Sequence, residues 1–71
     1  MKIVRMGIVG LGNMGRYHAD YLLQKKVAGC ELTAVSDAIP ANLERYPQLK
    51  TFGRSEDMIR SGAVDAVLIA T

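Results

Sequence analysis

Gly10, Gly12 and Gly15 form a G-x-G-x-x-G pattern directly after an apolar run and directly before a helical one. Each glycine meets a different demand of pyrophosphate binding. Gly10 lets the chain turn sharply, Gly12 lets the backbone approach a diphosphate with no Cβ in the way, and Gly15 lets the next helix pack closely on the preceding strand. Leu11, Asn13 and Met14 complete the turn. The N–H groups near Asn13 and Met14, which a helix start leaves unpaired, face the anion with the helix dipole assisting. Asp37 follows Gly15 by about twenty residues, at the end of the next apolar run, as a dinucleotide-binding fingerprint requires. A carboxylate there accepts hydrogen bonds from the hydroxyls of an adenosine ribose and repels the 2′-phosphate that distinguishes NADP from NAD. Ala38, Ile39 and Pro40 bring no cation to offset that repulsion. The pattern predicts a dinucleotide site with NAD favoured over NADP. Its alternatives are a glycine-rich turn that binds nothing and an aspartate that only ends a strand.

These residues need elements to hold them. Ile3 to Val9 is a β-branched-rich run and reads as a strand entering the glycine turn. From Asn13 the apolar residues Met14, Tyr17, His18, Tyr21 and Leu22 recur at helical spacing, which predicts a helix with that stripe against the sheet, ended by Gly29. Glu31 to Ser36 reads as a second strand. Pro40 opens a short helix through Arg45, which Pro47 prevents from continuing. Lys50 to Phe52 reads as a third strand, and Ser55 as the cap of a helix that carries Glu56 and Asp57 in its first turn and ends near Gly62. The continuous apolar run from Ala63 to Thr71 predicts a fourth strand buried on both faces. Strands alternating with helices build a parallel sheet, and right-handed crossovers give the order three, two, one, four. The fold class is therefore α/β, a Rossmann-like doubly wound parallel sheet, with its ligand crevice between the carboxyl ends of strands one and four.

Composition narrows the function classes. A chain of 71 residues builds at most one small core, burying only about 60% of its unfolded surface, so a two-domain enzyme is excluded from it. Nine Lys and Arg against seven Asp and Glu leave +2, with no basic run, which gives no reason to expect nucleic acid or a membrane surface as partner. No window approaches the about eighteen apolar residues of a membrane span, and the first residues do not form a signal peptide. A single cysteine, Cys30, cannot form an internal disulfide, and a cytoplasmic setting is the expectation. His18 is expected to be structural, Arg16 exposed, and Cys30 inert. The four methionines are expected to fill the core, and no metal site is indicated.

Three separated segments, in order, carry a family resemblance. Gly7-Ile8-Val9-Gly10-Leu11-Gly12-Asn13-Met14-Gly15-Arg16-Tyr17-His18, then Glu31-Leu32-Thr33-Ala34-Val35-Ser36-Asp37, then Val64-Asp65-Ala66-Val67-Leu68-Ile69-Ala70-Thr71 resemble the opening of the Gfo/Idh/MocA oxidoreductases. Members pair an N-terminal Rossmann domain with a larger C-terminal α/β domain. They oxidise or reduce a hydroxyl-bearing carbon of a sugar, cyclitol or related compound with NAD or NADP. The resemblance implies that Gly10, Gly12 and Gly15 hold the pyrophosphate, Asp37 the ribose, and that Thr71 faces the nicotinamide half. Two departures stand out. The segment from Ala38 to Tyr46 is shorter than the family's second helix, and the family's Pro and His after the fourth strand and its Glu-Lys-Pro segment, with the catalytic lysine, are not in the chain.

The expectation is thus the first, incomplete part (residues 1–71) of a dinucleotide-binding Rossmann domain, with the substrate domain absent and no catalytic residue of its own. The whole protein is expected to be a homo-oligomeric dehydrogenase. A non-catalytic nucleotide-binding module or a truncated pseudoenzyme is the alternative.

Overall fold

The apolar run after Ile3 extends as β1 (Val4–Val9), because its β-branched side chains suit a pleated surface, and it stops where Gly10 takes a φ of 93°. It is followed by α1 (Asn13–Leu23), β2 (Cys30–Ser36), α2 (Pro40–Leu43), β3 (Lys50–Phe52), α3 (Ser55–Arg60) and β4 (Ala66–Ile69). The structure is a computed structural model that describes residues 3–24 and 27–70; Thr71, expected at the nicotinamide end, lies outside them. All pairings are parallel and the strand order is β3-β2-β1-β4, as predicted.

Two apolar layers sandwich the sheet. Ile8, Leu11, Ala19, Leu22, Leu32, Val35 and Tyr46 form the core on the α1 side, with Leu43 and Leu49 packed against it. Ala34, Met58 and Ala63 form a smaller core on the α3 side, with Val9, Phe52, Val64 and Val67 around it. Successive connections therefore change face after β3, which is what doubly winds the sheet and opens a crevice at the carboxyl ends of β1 and β4. A bulge keeps the two faces in register. Met6 pairs with Leu32 but Gly7 with Ala34, so Thr33 is the extra residue. Leu32 and Val35, three apart, thereby share one core, and the Thr33 hydroxyl donates to the Ala63 carbonyl at 2.7 Å.

Four expectations need correction. The buried stripe of α1 runs through Gly15, Ala19 and Leu22, while Met14, Tyr17 and Tyr21 are 62%, 63% and 40% exposed and His18 is half-buried. Gly15 must sit against the glycine turn, and that contact sets the rotation of the helix. The helix also ends at Leu23, well before Gly29, which instead takes a φ of 77° in the turn entering β2. Ser55 is the first helical residue of α3, and the capping position belongs to Arg54, whose carbonyl accepts from the Met58 N–H. Strand β4 is shorter than the apolar run and is not buried on both faces: Ala66 and Ile69 are exposed, and among the described residues only β1 pairs with it.

Of the four methionines expected in the core, Met1 lies outside the described residues, Met58 is buried and Met6 partly so, but Met14 faces outward. Cys30 opens β2, half-buried against the larger core. No helix among the described residues is long and apolar enough to cross a membrane.

Candidate functional site

Strand β1 delivers the chain to the carboxyl edge of the sheet, and the three glycines then do three measurably different things. Gly10 has the positive φ of a tight turn, which a residue with a side chain adopts only with strain. At Gly15 a Cβ would overlap the carbonyl oxygen of Gly10 and lie 2.8 Å from its carbon, so the turn and the helix close on each other only through glycine. At Gly12 a Cβ would meet nothing within 4 Å. Its backbone has φ −70° at the cap of α1, a conformation any residue adopts, so neither strain nor protein packing explains a glycine there. Open space beside the backbone is what an approaching diphosphate requires. No side chain caps α1, which leaves its first N–H groups directed at the same space.

Asp37 sits one residue past β2, anchored by its own N–H to the Phe52 carbonyl at 3.1 Å. Its Oδ2 accepts from the Leu11 N–H at 2.7 Å and from Asn42 Nδ2 at 3.2 Å, and its Oδ1 accepts from the Ile39 N–H at 2.8 Å. Desolvation pushes its acid upward, but the bonds from Ile39, Leu11 and Asn42 outweigh it and hold the group below the ordinary carboxylate range. Asp37 is thus ionised and fastened to the glycine turn.

The turn and Asp37 border one cleft of about 490 Å³ at the carboxyl ends of the strands, and Gly12, Ile39, Asn42, Ser55 and Ala70 are among its lining. Of the residues singled out from sequence, Gly10, Leu11, Gly12 and Asp37 line this cleft, whereas Asn13, Met14 and Gly15 are not among its lining. Leu11 contributes its N–H while its side chain is buried in the core. The Met14 side chain stands exposed. Asn13 is tied by its Oδ1 to Arg16 Nη2 at 2.6 Å, which holds a half-buried Arg16 along the first turn rather than free in solvent. His18 stacks edge-on with Tyr17, ring centroids 5.6 Å apart, and is not among the residues of the cleft.

Sequence reasoning missed Asn42. Only its place five residues beyond Asp37, in a helix opened by Pro40, could have signalled it. It also missed Tyr46, whose hydroxyl donates to Asp20 Oδ1 at 3.1 Å and ties the α2 connection to α1 behind the site. Among the described residues lining the cleft, none is a His, Lys, Tyr or Cys.

Comparisons with known proteins agree with this geometry. Residues 4–71 match the Gfo/Idh/MocA profile, described as an oxidoreductase family with an NAD-binding Rossmann fold. The chain is 39% identical over 73 aligned positions to the rhizopine catabolism protein MocA of Rhizobium meliloti, covering 100% of this chain and 22% of that protein. It is 38% identical to an inositol 2-dehydrogenase of Corynebacterium glutamicum, covering 97% of this chain and 21% of that one. Among solved structures it resembles scyllo-inositol dehydrogenase from Lactobacillus casei, crystallised with NAD(H) and scyllo-inositol, with a TM-score of 0.89 and 31% identity over 99% of this chain and 22% of that one. The chain therefore spans about a fifth of the length of these relatives.

Proposed function

This chain belongs to the Gfo/Idh/MocA oxidoreductase family, in the part that carries its NAD-binding Rossmann fold, and on that footing we propose that it binds NAD in a dehydrogenase acting on a hydroxyl-bearing carbon of a cyclitol or related sugar. Asp37 carries the cofactor part of this reading. An ionised carboxylate at the end of β2, with no cation in the three residues that follow, suits a ribose diol and disfavours a 2′-phosphate.

The residues fit the cofactor, as the open flank of Gly12 and the closed flank of Gly15 require. Gly10, Leu11, Gly12, Asn13, Met14 and Gly15 would hold the pyrophosphate through backbone, Asp37 the adenosine ribose, and Thr71 the nicotinamide side. NAD supplies the capacity to accept or give a hydride at its nicotinamide ring, and this chain contributes binding and orientation. No His, Lys, Tyr or Cys lies among the described residues lining the cleft, and its one carboxylate, Asp37, is committed to Leu11, Ile39 and Asn42, so this reading assigns proton movement at the substrate hydroxyl to groups outside that lining.

The cyclitol reading draws on the inositol dehydrogenases to which the chain is similar. The protein as its gene encodes it is expected to reduce NAD when given myo- or scyllo-inositol, followed by NADH absorbance. NAD binding without turnover of any cyclitol or sugar would favour the non-catalytic nucleotide-binding module.

A further inference from the structure

Asp37 has two carboxylate oxygens and thus about four acceptor positions. Oδ2 uses both of its positions, on Leu11 and Asn42, whereas Oδ1 uses one, on Ile39. One acceptor position remains, and a ribose diol brings two hydroxyls. The carboxylate cannot take both without surrendering a bond that fastens it to the glycine turn or to α2.

Asn42 supplies the missing acceptor. A carboxylate only accepts, so the amide nitrogen of Asn42 must face Asp37 and its carbonyl oxygen is the other end of the same planar group. That carbonyl makes no hydrogen bond within the described residues, and Asn42 lines the cleft beside Asp37. We propose that Asn42 is a cofactor-specificity residue: Asp37 Oδ1 accepts one hydroxyl of the adenosine ribose and the Asn42 side-chain carbonyl accepts the other. This rests on the NAD-binding reading above and deepens it. Both side chains line the one cleft and are joined by the Asn42 Nδ2 to Asp37 Oδ2 bond, so they can offer their remaining acceptors to the two hydroxyls of one diol. A 2′-phosphate brings only acceptors and charge to the same two oxygens, so Asn42 adds to the discrimination otherwise credited to Asp37 alone.

The test uses the protein as its gene encodes it, titrated with NAD and with analogues lacking the 2′- or the 3′-hydroxyl of the adenosine ribose. Asn42→Ala and Asn42→Ser are compared with the wild type, and thermal unfolding verifies that each variant is folded. Asn42→Ala is expected to weaken NAD about tenfold, the scale of one lost polar contact. One deoxy analogue should lose about as much in the wild type and nothing further in Asn42→Ala, as expected when residue and hydroxyl form one interaction. A structural role for Asn42 would instead give additive losses with both analogues. Additive losses, or unchanged NAD affinity in folded Asn42→Ala and Asn42→Ser, would overturn the role of Asn42. Absence of NAD binding by the wild type would overturn the reading beneath it, so the two failures are distinct.

Discussion

Gly12 and Gly15 share a residue type but answer to different constraints, and substitution separates them. Gly15→Ala drives a methyl into the Gly10 carbonyl and is expected to cost about 1–3 kcal/mol in denaturant unfolding. Gly12→Ala meets no protein atom and is expected to leave stability within about 0.5 kcal/mol while sharply weakening NAD. Equal destabilisation by both would refute the division. Asp37 gives a pH signature whose sign follows from its three bonds. Because its folded acid lies below its unfolded one, its contribution to stability is complete above the ordinary carboxylate value and is lost as pH falls through the lower folded value. Unfolding midpoints of wild type and Asp37→Ala should therefore differ steadily near neutrality and converge in acid; a gap that widens in acid contradicts this. The glycines and Asp37 were readable in the sequence because each lies at a spacing with a mechanical reason. Asn42 was not, because its role arises only when α2 folds back to bring its amide within 3.2 Å of Asp37.

Helix α1 shows where periodicity misleads. Met14, Tyr17, Tyr21 and Leu22 satisfy helical spacing, but so do Gly15, Ala19 and Leu22, and a hydrophobicity argument overlooks the small residues. The sheet selects the small stripe because a bulky side chain has no room against the glycine turn. Leu22→Ala is accordingly expected to cost about 2–5 kcal/mol in unfolding experiments. Tyr17→Ser, at a residue the sequence pattern had placed against the sheet, should change stability by no more than about 0.5 kcal/mol. A reversed ranking would restore the inward Tyr17 stripe. Strand β4 carries a related lesson. Its apolar composition suggested burial on both faces, yet Ile69 is 67% exposed, because composition reports what a strand can bury and neighbours decide what it does bury. The Thr33 bulge was likewise unreadable, since it depends on how β1 and β2 are paired rather than on either strand alone.

Strand order and the face change after β3 were readable because right-handed crossovers leave few topologies for alternating strands and helices. The ends of the sheet were also foreseen: among the described residues β4 pairs with β1 and presents its other edge to solvent. An apolar edge of this kind templates self-association. The 71-residue chain by itself is expected to sediment as oligomers or aggregates and Ile69→Lys to reduce that tendency; a monodisperse wild-type chain with a sharp unfolding transition would contradict it. Relatives more than four times as long match nearly all of this chain, and the cleft at the carboxyl edge of its sheet unites the glycine turn with Asp37. That union is the centre of the account, and fluorescence titration of the protein with NAD and NADP, before and after Asp37→Ser, tests it most directly. The wild type should bind NAD more tightly than NADP, and Asp37→Ser should weaken NAD and erase the preference. Equal affinity of the wild type for the two cofactors would contradict the role assigned to Asp37.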